Sequence, residues 1–111
     1  MLNKKNRISS KEAYNHIYKY GRKIQAKYII VFVVTNHLEY NRFGIVTSKK
    51  VGNAVLRNQA KRRIRGIIRT HLPELKPGFD LVIVARYNIK DALYAALEKD
   101  FLNAIKKARL D

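Results

Sequence analysis

The chain has 111 residues, room for one compact domain (1–111) and not for two, and its 24 Lys and Arg against 8 Asp and Glu leave a formal charge of +16. The absence of cysteine rules out disulfides, thiolate chemistry and zinc–thiolate sites together. No apolar run approaches the roughly 20 residues of a membrane span, and the basic start MLNKKNRISSKE has no apolar stretch behind it to make a secretory signal, so a soluble, cytoplasmic protein is expected.

Ser9 followed by Glu12 matches a capping box, which predicts a first helix over about 10–20 that stops at Gly21. Ala13 and Ile17 fall on its inward stripe, with Tyr14 and Tyr18 one turn apart beside them. KYIIVFVVT reads as a strand apolar on both faces. Tyr28, Ile30, Phe32 and Val34 point to one side, and Ile29, Val31 and Val33 to the other. The polar segment 36–41 suggests a hairpin connection to a second strand over 42–48, antiparallel to the first. Gly52 and Asn53 supply a turn and an N-cap for a second helix that runs to about His71, where Pro73, Pro77 and Gly78 break the chain. FDLVIVAR forms a third strand. Asp91 is placed to cap a third helix whose Leu93, Tyr94, Leu97, Phe101, Ala104, Ile105 and Ala108 make one apolar stripe. The order α-β-β-α-β-α packs most economically as an α/β (α+β) two-layer sandwich around a small central sheet.

The second helix carries the functional signal. KKVGNAVLRNQAKRRIRGIIR holds Lys49, Lys50, Arg57, Lys61, Arg62, Arg63, Arg65 and Arg69 and no acidic residue. At about 100° per residue, Arg57, Asn58, Lys61, Arg62, Arg65 and Arg69 share roughly 140° of helix circumference. Leu56, Ala60, Ile64 and Ile67 lie opposite, and Arg63 falls off the cationic face as a solvated or peripheral contact. A merely solvated face would mix signs, because like charges at i,i+4 destabilise a helix. Here Arg57, Lys61 and Arg65 form a ladder of one sign, which a phosphate backbone selects for. Arginine donates two parallel hydrogen bonds to phosphate, and Asn58 offers both a donor and an acceptor to a base edge or a 2′-hydroxyl. Gly66 inside the helix either permits close backbone approach or is simply tolerated.

KKVGNAVLRNQAKRRIR closely resembles the signature of the bacterial ribonuclease P protein family, in which Arg-Asn is followed by Lys-Arg and a further Arg; here these are Arg57, Asn58, Lys61, Arg62 and Arg65. The likeness extends over nearly the whole chain, through the NR-I start, the tyrosine-bearing first helix, GIVTSKKVGNAV and the IVAR strand. The resemblance implies a noncatalytic subunit of a ribonucleoprotein endoribonuclease that removes the 5′ leader from precursor tRNA. Its partners would be the catalytic RNA subunit and the leader, with one protein per RNA and no membrane. It implies no cofactor held tightly by the chain, the magnesium being required by the holoenzyme through its RNA. It also implies a left-handed βαβ crossover at the basic helix, where chirality rules alone favour a right-handed one. The basic helix, with Lys49 and Lys50, would dock on the RNA, and a cleft between first helix and sheet would hold the single-stranded leader. Tyr14, Tyr18 and Phe32 match that cleft, and aromatic rings stack on unpaired bases of any sequence. Arg7, Lys11 and Arg22 are candidates for further phosphate contacts.

Nothing in the pattern builds a nuclease in this polypeptide. A two-metal site needs converging carboxylates, whereas Glu12, Glu39, Glu74, Asp80, Asp91, Glu98, Asp100 and Asp111 scatter over element ends and turns. His16, His37 and His71 lie on separate elements. A small basic ribosomal RNA-binding protein is the alternative reading. A peripheral membrane module is a more distant one, since it would turn its apolar stripes outward.

Overall fold

The computed structural model describes residues 2–111. Helix α1 (Lys11–Tyr20) is followed by strands β1 (Arg22–Gln25), β2 (Ile29–Thr35) and β3 (Arg42–Val46). Helix α2 (Ala54–His71), strand β4 (Phe79–Ala85) and helix α3 (Tyr94–Lys107) complete the chain, with short 3-10 turns at Lys4–Asn6, Leu72–Glu74 and Ile89–Asp91. The expected order is kept, with one strand added. Strand β1 escapes the sequence pattern because it is only four residues long and three of them are exposed.

The strands form one sheet in the order β1-β2-β4-β3. Strand β2 is antiparallel to both β1 and β4, while β3 runs parallel to β4. The hairpin expected between β2 and β3 does not form, because β4 lies between them. Five of the seven residues of β4 are buried, and a strand apolar on both faces gains most at the centre of a sheet. The 36–41 segment therefore crosses the start of β4, and polar side chains fix it there. Asn41 accepts from the Phe79 N–H and donates to the Lys76 carbonyl, while Asn6 donates to the Asn41 carbonyl. Arg42 donates two bonds to the buried Asp80 carboxylate, 2.9 and 2.6 Å long, and Asn36 adds a third. These bonds satisfy a carboxylate that burial alone would penalise heavily.

Alternation along β2 and β4 divides the core between the two sheet faces. Ile29, Val31, Val33, Leu81 and Ile83 pack against Ala60, Ile64, Ile67 and Ile68 of α2 and Leu97, Phe101, Ala104 and Ile105 of α3. Phe32, Val34, Val82, Val84 and Val46 face the other way, under Ile17, Ala13 and Tyr14 of α1 and Ile8. Tyr28 departs from its expected side and packs with the α2–α3 core. It precedes the strand, in a turn where Asp100 accepts the backbone N–H groups of Lys27 and Tyr28.

Two helix starts differ from expectation. The N-cap of α1 is Ser10, whose hydroxyl accepts the Ala13 N–H, not Ser9. Helix α3 begins after Leu93 without a side-chain cap, and Asp91 belongs to the preceding 3-10 turn. Leu93 is consequently 78% exposed and Tyr94 46%, so the apolar stripe of α3 effectively begins at Leu97.

Candidate nucleic-acid interface

Helix α2 is anchored before it is displayed. Asn53 caps it by accepting the Leu56 N–H, and Ala60, Ile64, Ile67 and Ile68 sink into the core. That anchorage turns Arg57, Asn58, Lys61, Arg62, Arg65 and Arg69 outward on one face. Asn58, Arg62 and Arg69 are exposed, Arg57, Lys61 and Arg65 are half-buried, and Lys49 and Lys50 stand exposed in the turn before the helix. Among the described residues, none of these side chains is engaged in the molecule's own ion pairs, which join Arg42 to Asp80 and His71 to Glu74 and Glu98. Arg63 behaves otherwise: its guanidinium donates to the Ala92 carbonyl and ties α2 to the start of α3. It is a structural residue rather than a solvated or peripheral contact.

One flank of this face opens into a groove of about 180 Å³ shared by α1, β3 and α2, with Arg7, Tyr14, Gly44, Lys61 and Arg65 in its lining. Gly44 lets the Tyr14 ring lie against β3 in the groove wall, since a Cβ there would lie 2.5 Å from the Tyr14 hydroxyl. A glycine inside a strand is a signal of close approach, and the sequence reading passed over it. From Tyr14 the rings continue: Tyr18 is 6.4 Å away, and Tyr18 meets Phe32 edge-to-face at 5.1 Å. Tyr18 remains 41% exposed, and Tyr14 and Phe32 are half-buried. Burial raises the Tyr14 and Tyr18 pKa values above the ordinary phenol, Tyr14 also feeling Tyr18. Both hydroxyls therefore stay neutral donors that do not repel an anion. The three expected leader-cleft residues thus share one row, and Lys61 and Arg65 connect that row to the cationic face.

The remaining candidates separate. Arg7 joins the groove and Lys11 is exposed at the start of α1, while Arg22 donates to the Ala108 carbonyl at the end of α3. His71 bridges Glu74 and Glu98 at 3.0 and 2.8 Å. Its pKa is raised by the Glu74 hydrogen bond first and the Glu98 bond second, against burial. Among the described residues, no three His, Asp or Glu side chains gather as metal ligands, and no helix is long and apolar enough to cross a membrane.

Known proteins are similar to this chain in sequence and fold. The ribonuclease P family model matches residues 2–109. The ribonuclease P protein component of Syntrophomonas wolfei is 39% identical over 110 residues, covering 99% of this chain and 92% of that one. The RNase P protein structure from Staphylococcus aureus superposes with a TM-score of 0.87 at 31% identity, covering 95% and 96% of the two chains. That from Thermotoga maritima gives 0.84 at 30% identity, covering 91% and 96%. With the signature helix, the mixed four-stranded sheet and the sequence all in agreement, the chain belongs to the ribonuclease P protein family.

Proposed function

We propose that this chain is the RNA-binding protein subunit of a ribonuclease P ribonucleoprotein, which removes the 5′ leader of precursor tRNA endonucleolytically. The cationic face of α2, with Lys49 and Lys50, grips the catalytic RNA, and the Tyr14 groove, continued by the ring row of Tyr18 and Phe32, holds the single-stranded leader. One observation carries this reading: Lys61 and Arg65 of the cationic face line the same groove as Tyr14, from which the rings of Tyr18 and Phe32 continue. One surface can therefore touch ribozyme and substrate together, and binding both raises the affinity for precursor without new chemistry.

The chain's own part is binding and positioning. Magnesium held by the RNA would supply the activation of water and the stabilisation of the leaving oxygen. Here Asp80 serves Arg42, Glu74 and Glu98 serve His71, and Asp100 serves two backbone amides. Those carboxylates are committed to the fold and not to a metal cage. The proposed complex is cytoplasmic, holds one protein per RNA and involves no membrane. The chain's apolar helix faces cover the sheet, which supports this reading over a membrane module. Membership of the ribonuclease P family supports it over a ribosomal role.

Cleavage of precursor tRNA at low magnesium, by the catalytic RNA with and without the chain, tests the proposal. The chain should raise cleavage strongly at low magnesium and less at high, and alone should cut nothing. Cleavage by rigorously RNA-free protein would overturn the supporting role.

A further inference from the structure

We infer that Gly66 floors an anion-binding notch on α2, which seats a backbone phosphate of the RNA among Arg62, Arg65 and Arg69. The inference rests on the docking reading above and adds a specific contact to it. At 100° per residue Gly66 lies about 40° from Arg62, on the side toward α3 and away from the Tyr14 groove. Glycine is unfavourable in a helix interior, and α2 continues unbroken through this one. Its missing side chain leaves a depression of about 150 Å³ walled by Arg62, Arg65 and Arg69. A Cβ at Gly66 would sit 3.2 Å from the hydroxyl of Tyr94, a 46%-exposed residue of α3 that borders the glycine. Among the described residues, neither that hydroxyl nor the three guanidiniums have a hydrogen-bond partner in the molecule. Three forked cationic donors around a bare stretch of backbone suit a phosphate, which only accepts; a base edge would also need acceptors, which guanidiniums lack.

The competing explanation is packing alone, with Gly66 present only to clear Tyr94. Binding of ribonuclease P RNA across a salt series, together with thermal melting, separates the two. Gly66→Gln fills the notch without changing charge. It should weaken binding on the order of 10-fold, the loss of about one charge-assisted contact, and lower the magnitude of the salt slope by about 0.7–0.9. In a Tyr94→Phe background, where the 3.2 Å contact is gone, Gly66→Ala should raise the melting temperature, as a better helix former, yet bind RNA more weakly than Tyr94→Phe alone. Equal binding by that pair would make the glycine a packing device and overturn the notch. Unchanged affinity and slope in folded Gly66→Gln would do the same. Arg57→Ala, at the far edge of the face, is the control. Weaker binding there beside unaffected Gly66 variants would retain the docking face without the notch, whereas no effect in any of them would bring down the docking face itself.

Discussion

Arg65 stands where the two parts of the proposed interface meet, lining both the Tyr14 groove and the Gly66 notch. Under the proposed function its neighbours divide the work by chemistry, guanidiniums for phosphate and rings for bases. Tyr14→Ala or Phe32→Ala should therefore cost about 1–3 kcal/mol in affinity for leader-bearing precursor while sparing mature tRNA. Binding of both substrates to the assembled ribonucleoprotein measures this, and equal losses for the two would contradict leader binding in the groove. Arg42 marks the opposite kind of arginine, spent on the fold. Asp80 is 4% exposed, and removing its partner leaves a buried charge with only the Asn36 amide. Arg42→Ala should lower stability by roughly 3 kcal/mol, read by urea denaturation. A loss within 0.5 kcal/mol would mean the pair contributes little.

Helix α2 was legible almost to the residue, because its cap, its periodicity and its terminating prolines all agree. The two faces of β2 were equally plain from Ile29 onward, and Tyr14, Tyr18 and Phe32 could be grouped through the family likeness. What stayed hidden depended on neighbours distant in sequence. Strand β1 is held by pairing with β2 rather than by any apolar run of its own. The parallel pairing of β3 follows from β4 taking the centre, which no local turn signal in 36–41 announces. Arg63 looks like one more surface cation until the Ala92 carbonyl comes beside it. His71 is similar, since Glu98 comes from another helix. This clamp joins the end of α2 to α3, and its sign follows from the raised histidine pKa. The charged form gains in the folded state, so the contribution is complete below the unfolded value of about 6.5 and fades as pH rises through the higher folded value. Wild type should thus lose its melting-temperature advantage over His71→Ala as pH is raised from 6 to 9. An advantage that grew over that range would have the wrong sign.

Over the whole molecule, 24 cations face 8 acids, and four of those acids, Glu74, Asp80, Glu98 and Asp100, are turned to internal contacts. The charge that remains on α2 and its approach is uncompensated. Such a surface repels itself until a polyanion arrives, and each phosphate it neutralises releases counterions. The most direct measurement is the dependence of affinity for ribonuclease P RNA on salt concentration, for wild type and for Arg62→Ala/Arg65→Ala. The double variant should bind more weakly at low salt, with a log–log slope smaller in magnitude by about 1.4–1.8, two contacts' worth. A variant that is folded and binds with the wild-type slope would contradict α2 as the surface that holds the RNA.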